Sequence, residues 1–427
     1  MPRSVTAQPT AGDAWLSELL FGGTPTVRWA VAGGLPAGFD RTDRFAVFPA
    51  RDGRSFLLSL ADRRGASSAL TSYNSLRSGR TRVARRVLAF GLRAGLAQPL
   101  LRNKIDVGIA PGSATAQAGN LLGEHLGRLF GHDRIVMAIS GGTGPYRKPV
   151  LQIFATDGAP LGYVKVGWND WTHEAVRREA AALQACAKHP MRLGVPQFLG
   201  LSSWQGLELL VTSPLPRGVR RWSSENGLPD TSVLAEISEL APGFACELAA
   251  SPWWHGVRSR IQAAAADPAA RSALEQAADR IERAHGREPL KFGAWHGDLV
   301  PWNLARHGSR LYAWDWESST PCVPLGFDAV HFHYSVAFIA QGRPLAEAVA
   351  MAASRAGAAL HALGVPERAH RLVTLLHLVE LAVSHEKARD STGDADDRFY
   401  PAVLGVIERA LPGPRGPAGR QSAERAA

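Results

Sequence analysis

Two aspartates and an asparagine stand within the stretch WHGDLVPWNLARHGSRLYAWDWE, residues 295–317: Asp298, Asn303 and Asp315. Carboxylate and carboxamide oxygens are the natural ligands of a hard cation such as Mg²⁺, and a carboxylate beside them can take a proton from a hydroxyl. Their neighbours Trp295, Leu299, Val300, Trp302, Trp314 and Trp316 are apolar. The acids are therefore expected to be partly buried, where an unpartnered carboxylate is costly. A proton acceptor with two oxygen ligands is the set that phosphoryl transfer demands. Any one of the three alone would read as a solvated turn.

The elements around these residues must bring them together. NLARHGSRLYAWD has short apolar runs on either side of His307-Gly308-Ser309, the form of a β-hairpin. With the turn centred near Gly308, Asn303 falls beside residue 313 and Asp315 beside residue 301, on strands about 4.8 Å apart. Upstream, DRIVMAIS, PVLQIFATDG and LGYVKVGW read as strands, and THEAVRREAAALQACAKH as a helix opening on a Thr cap. LELLVTS is a further strand candidate, and PLPRG after it a hinge. From residue 217 to about 410 Ala-rich amphipathic segments predominate, at 231–249, 268–286, 344–363 and 366–389.

HGDLVPWN, His296 to Asn303, matches the H-x-D-x-x-x-x-N loop of protein-kinase-like enzymes. The Gly after His, with AWDWE in place of D-F-G, resembles the aminoglycoside phosphotransferase and choline kinase branch, which phosphorylates small molecules. PLGFDAVHF resembles the Gly-x-Asp segment of that family, and VRREAAAL its R-E-x-x-x-L segment. The resemblance implies Asp298 as catalytic base, His296 as support for the loop's shape, Asn303 and Asp315 as metal ligands, and Asp328 as a brace. It also implies a strand lysine for the nucleotide phosphates, Lys165, one of only six lysines in the chain. Glu179 is favoured over Glu174 to hold that lysine. Gly141, Gly142 and Gly144 lie where a phosphate-covering loop belongs, and Val211 to Ser213 where backbone would meet adenine. The implied cofactors are ATP (or GTP) and Mg²⁺. There is no G-x-x-x-x-G-K-S/T, so a P-loop fold is not expected.

The implied fold is α+β, a bilobal protein-kinase-like architecture. Residues 131–216 form a β-rich N-lobe with its hinge, and 217–410 a mostly helical C-lobe. Residues 1–128 form an extra mixed α/β unit resembling, in layout only, the cap of certain sugar kinases. Residues 411–427, rich in Pro, Gly and Arg, read as a disordered tail. The implied function is nucleotide-dependent phosphorylation of a small-molecule hydroxyl on an aminoglycoside, sugar or amino alcohol. The alternative is a pseudokinase or regulatory module. Glu386, Asp390 and Asp394, concentrated late in the helical part, could bind a cationic acceptor or belong to a solvated loop. His331 and His333 read as packing or hydrogen-bonding residues, and Trp253 and Trp254 as core.

Composition sets the bounds. The chain has 427 residues, 45% of them hydrophobic, enough for a large core. Three scattered cysteines suggest neither a disulfide framework nor a zinc site. No apolar run is long enough to span a membrane and no secretory signal is evident, so a cytoplasmic location is expected. The formal charge is +10, and its excess is local: residues 1–130 carry 17 Arg or Lys against 8 Asp or Glu, the remainder 31 against 30. Between Arg77 and Lys104 there are eight basic residues and no acid, with Val83, Val87, Leu88, Leu92 and Leu96 at helical spacing. This basic amphipathic helix could pack on its own unit with a solvated Arg face, or contact nucleic acid or an anionic surface. Packing is the favoured reading and nucleic acid is not expected as a partner. The partners are a nucleotide and a small-molecule acceptor; the oligomeric state is left open.

Overall fold

The structure, a computed structural model, describes residues 11–23, 25–49, 54–72, 79–110, 121–142, 144–263, 268–392 and 399–410. In chain order its first elements are α1 (Ala11–Phe21), β1 (Val27–Val31), β2 (Asp40–Pro49), β3 (Arg54–Ser59), α2 (Arg63–Thr71), α3 (Gly79–Arg93), β4 (Lys104–Ile109) and α4 (Leu122–Phe130). There follow β5 (Ile135–Gly142), β6 (Val150–Ala155), β7 (Pro160–Gly167), α5 (Asp170–Lys188), β8 (Phe198–Trp204), β9 (Leu207–Thr212) and β10 (Arg220–Arg221). Next come α6 (Thr231–Ser238), β11 (Phe244–Glu247), α7 (Pro252–Ala263), α8 (Pro268–His285), β12 (Pro289–Trp295), β13 (Leu304–His307), β14 (Arg310–Ala313) and β15 (Thr320–Pro324). The last described elements are α9 (Phe327–Ser335), α10 (Leu345–Ala362), α11 (Glu367–Thr392) and α12 (Phe399–Ala410). The fold is α+β. Among the described residues no helix is long and apolar enough to cross a membrane.

The chain forms two compact units, Met1–Asn226 with Pro301–Ser319, and Gly227–Val300 with Thr320–Ala427. The first unit is built on a nine-stranded antiparallel sheet of order β1-β4-β2-β3-β5-β6-β7-β9-β8. The sequence separates residues 1–128 from 131–216, yet here they share one sheet. β3 ladders onto β5, with Leu57 opposite Ile139 and Leu58 opposite Ala138. One core lies along one face of that sheet: Leu16, Leu20, Phe45 and Leu57 pack in the same cluster as Ile139, Ile153, Val164 and Val211. A second cluster joins Ala69 and Leu70 of α2 and Ala89 and Leu92 of α3 to Leu58, Ala138 and Phe154. Within the basic stretch, α3 packs on its own unit through Ala89 and Leu92. The Asp52-Gly53 turn and the tail 411–427 lie outside the described residues.

The hairpin β13–β14 belongs to this unit too, in a three-stranded sheet with β10. Its register differs by one residue from the expectation. Leu304 pairs with Ala313 and His307 with Arg310, so the turn is the two residues Gly308 and Ser309, Gly308 having φ +61°. Asn303 therefore lies opposite Trp314, whose N–H donates to the Asn303 carbonyl at 3.2 Å.

The second unit is mostly helical around a small sheet, β11-β12-β15. Its helices bury residues at helical spacing: Ala270, Leu274, Ala277, Ala278 and Ile281 on α8, and Ala348, Ala352, Ala356, Ala359 and Leu360 on α10. Trp253 and Trp254 are buried here, their indole N–H groups donating to Glu380 at 3.0 Å and Glu282 at 2.8 Å.

Candidate active site

In the first unit, β7 alternates. Val164 and Val166 point into the core with no exposed surface, which sends Tyr163 and Lys165 to the opposite face. Helix α5 lies beside the same strands. Its N-cap is Asn169 rather than Thr172: the Asn169 side chain accepts from the Thr172 N–H at 2.8 Å, and the Thr172 hydroxyl accepts from the Asn169 N–H at 3.0 Å. Asn is the stronger cap, and Thr172 serves as the third helical residue of a reciprocal capping box. Starting there, the helix puts Glu179 inward, 2% exposed, while Glu174 pairs with Arg178 at the surface.

Lys165 Nζ donates to both Glu179 oxygens, at 2.7 and 2.6 Å, and to Asp315 Oδ1 at 2.5 Å. One ammonium thus joins a strand, a helix and the segment after the hairpin. Burial pulls the Lys165 pKa down, but Asp315 and Glu179 outweigh it and the net shift is upward. Burial raises the Glu179 pKa; the Lys165 charge opposes that, and the Asp315 carboxylate adds to it.

Asp315 has φ +74° and ψ +55°, one of only two non-glycine residues with positive φ among those described. Aspartate tolerates this left-handed conformation better than most residues, and it turns the chain out of β14. Glu317, two residues on, pairs with Lys148, and its carbonyl accepts from Arg178 Nε at 3.0 Å. Carboxylate oxygens of Glu179, Asp315 and Glu317 all lie within 4.8 Å of one another. These side chains line a cavity of about 480 Å³ whose walls, all from the first unit, include Lys148, Tyr163, Ser213 and Trp302. Asn303 is buried at the start of the hairpin, 5% exposed.

Four expected cofactor residues lie elsewhere. Gly141 and Gly142 are in β5, laddered to Ser55 and Arg54 of β3, and are not part of the cavity wall. β3, supplied from far upstream, gives this glycine pair a strand partner, and a Cβ at Gly141 would stand 3.1 Å from Leu16. Gly144, with φ +137°, is in the turn that follows. Val211 is 5% exposed in the core. Ser213 does face the cavity, but its N–H donates to the Gln197 carbonyl at 2.9 Å.

In the second unit, β12 delivers the chain to His296, Gly297 and Asp298. Asp328, in the first turn of α9, accepts the N–H of His296 at 2.8 Å and of Gly297 at 3.1 Å, and the Asp298 N–H reaches His296 Nδ1 at 3.2 Å. Gly297 has φ +83°, so a side chain there would be strained. Asp328 thus holds the loop backbone by two hydrogen bonds; its pKa is raised to about 6, burial outweighing those N–H donors. Asp298 is about one-third exposed, and its Oδ1 is 3.2 Å from His331 Nε2. His331 Nδ1 in turn is 3.2 Å from His377 Nε2. Burial, with His331 alongside, depresses the His377 pKa well below the usual value.

Reading the sequence misses Glu317 and gives His331 hydrogen bonding without naming Asp298 as its partner. Glu317 is visible in AWDWE as a second acid, and His331 follows Asp328 by three residues, one helical turn on the same face. His333 is half-buried beside Phe332, with its pKa lowered to about 4 by desolvation and by Arg355. Glu386 and Asp390 fall on α11 rather than in a loop, and only their backbone is described. Asp394 lies outside the described residues.

No family model and no curated protein matches this sequence. Solved structures do resemble it. One is a putative fructosamine-3-kinase from Haemophilus somnus, 13% identical, covering 68% of this chain and 96% of that one with a TM-score of 0.40. Another is a thermostable mutant of the aminoglycoside phosphotransferase APH(4)-Ia in complex with ADP and hygromycin B, 12% identical, covering 69% and 99% with a TM-score of 0.43. A third is the choline kinase LicA from Streptococcus pneumoniae, 14% identical, covering 63% and 89% with a TM-score of 0.40. The likenesses are remote.

Proposed function

We propose that this chain is an ATP- and Mg²⁺-dependent phosphotransferase that moves the γ-phosphoryl group to a hydroxyl of a small molecule. The observation that carries the reading is Lys165, held between Glu179 and Asp315 in a cavity of about 480 Å³. A half-buried lysine with a fixed carboxylate partner is a preset positive charge for phosphate oxygens, and such a charge needs no reorganisation when the phosphoryl group moves.

The donor set fits a hard cation. Asn303 and Asp315 offer oxygen only, and two further carboxylates lie within reach of Asp315. When bound there, Mg²⁺ would neutralise phosphate charge. Every other role falls to the chain. Lys165 binds the phosphates and Glu179 keeps it in place. Asp298 orients the acceptor hydroxyl and takes its proton; Asp328 fixes the backbone that presents Asp298. Acceptors bearing an amine are the first to test, because Glu386, Asp390 and Asp394 are concentrated late in the helical unit.

The test is ATP-dependent phosphorylation of a panel of amino sugars, aminoglycosides, sugars and amino alcohols. Asp298→Asn should lower turnover by roughly 10² to 10⁴ while nucleotide affinity is kept. Asp315→Asn, which tolerates the same backbone, should instead weaken Mg²⁺-dependent nucleotide binding. Full turnover by Asp298→Asn on an acceptor the parent phosphorylates would remove the base assignment. Nucleotide binding without phosphorylation of any panel member would favour a regulatory module.

A further inference from the structure

Helix α3 is packed on one face only. Ala89 and Leu92 are buried against the sheet and Leu88 is partly so. Val83, Val87 and Phe90, spaced four and three residues apart, form a line on the opposite face and are 60%, 67% and 74% exposed. Leu96 and Leu100, just beyond the helix, are 69% and 77% exposed. Ten large apolar side chains are exposed among the described residues, and five of them are these. They are a patch rather than scatter, and such patches mark contact surfaces.

The charges around the patch say what it contacts. At 100° per residue, Arg80 falls on one flank of the Val83–Val87–Phe90 line and Arg86 and Arg93 on the other, all three exposed. The chain from Arg77 to Lys104 contains no acid. A nucleic-acid surface would set its cations in the middle of the face; here apolar groups hold the middle and guanidiniums the edges. That order suits a lipid interface, where apolar side chains enter the acyl boundary and arginines stay level with the phosphates. A second copy docking by the same face would bring arginine rows together, which repel.

We propose that α3 and the segment to Leu100 form a peripheral docking surface for anionic phospholipid bilayers. It acts independently of the phosphotransfer reading, since α3 contributes nothing to the cavity that holds Lys165.

The experiment uses the full chain without nucleotide, sedimented with vesicles of phosphatidylcholine containing phosphatidylglycerol and with vesicles of phosphatidylcholine alone. Binding should require the anionic lipid and weaken with salt. The double variant Val87→Ser/Phe90→Ser should lose at least about tenfold in partitioning. Arg80→Glu/Arg86→Glu should lose about 25-fold or more, from roughly fivefold per arginine removed. These positions are exposed, so circular dichroism should match the parent. Three results would each overturn the proposal: no binding to anionic vesicles, equal binding by the serine variant, or a concentration-dependent self-association that Phe90→Ser abolishes. Tighter binding to duplex DNA or RNA than to vesicles, unaffected by the serine changes, would reassign the patch to nucleic acid.

Discussion

Removing the Lys165 ammonium should damage the protein more than neutralising Glu179, even with no nucleotide present. Glu179 is 2% exposed and both its oxygens accept from Lys165. Lys165→Met strips those bonds and leaves a buried carboxylate facing Asp315. Breaking a buried pair from one side costs about 3–5 kcal/mol. At about 2–4 °C per kcal/mol for a unit of this size, the melting temperature should fall by about 6–20 °C. Glu179→Gln leaves Lys165 its contact with Asp315 at 2.5 Å and should cost about 1–3 kcal/mol. Pairing Lys165→Met with Glu179→Gln removes both charges, so the double variant should be more stable than the sum of the singles by about 1–3 kcal/mol. Urea unfolding of the four proteins measures this cycle. Additive losses, or a Glu179→Gln loss as large as that of Lys165→Met, would refute the idea that the ammonium compensates Glu179 in the folded protein.

Three further outcomes follow from the geometry. Asp328 holds its proton more tightly folded, at about 6, than unfolded, near 3.8, so its contribution to stability is complete below about pH 4 and is lost as pH rises through 6. Relative to Asp328→Asn, the parent should lose up to roughly 3 kcal/mol between pH 4 and pH 7, read by urea unfolding at both pH values; a pH-independent gap would contradict it. A Cβ at Gly194 would stand 2.4 Å from the Tyr312 ring, and Gly194 also exchanges backbone hydrogen bonds with Leu311 and Ala313. Gly194→Val should therefore displace β14 and lower both melting temperature and Mg²⁺-dependent nucleotide affinity, the latter measured by calorimetry; a variant with parental affinity would show that the hairpin is held from elsewhere. Deleting residues 1–128 should give an insoluble or unfolded chain, since it removes Phe45, Leu57 and Leu58 from cores shared with Ile139 and Ala138; a cooperatively melting soluble product would refute that.

Much of the site was legible because its residues carry local signals. HGDLVPWN and AWDWE mark Asp298, Asn303 and Asp315 as candidates through their resemblance to the kinase-like loop, and Lys165 and Glu179, chosen by strand and helix order, stand within hydrogen-bond distance of each other. What failed to show depends on partners distant in sequence. The glycines at 141 and 142 read as an open loop because nothing nearby reveals that β3, some eighty residues upstream, pairs with them. The hairpin register slipped by one because Gly308 looks like the centre of a turn whose second residue is Ser309. His331 was read as packing or hydrogen-bonding; only the helix shows that it shares a face with Asp328 and reaches Asp298.

The pairing of β3 with β5 bears on function as well as on stability. β5 would be an edge strand without it, and its residues Val136 to Ile139 are almost wholly buried, the profile of an edge that pairs with other chains when uncovered. Covering it with β3 ties the upstream strands to the sheet whose β7 carries Lys165. The same strands present α3, since Ala89 and Leu92 pack in one cluster with Leu58 of β3 and Ala138 of β5. The extra N-terminal region is therefore not an appendage on a linker. It shares a sheet with β7, the strand of Lys165, so a surface that engages α3 is joined to that strand through packed side chains rather than through a flexible tether.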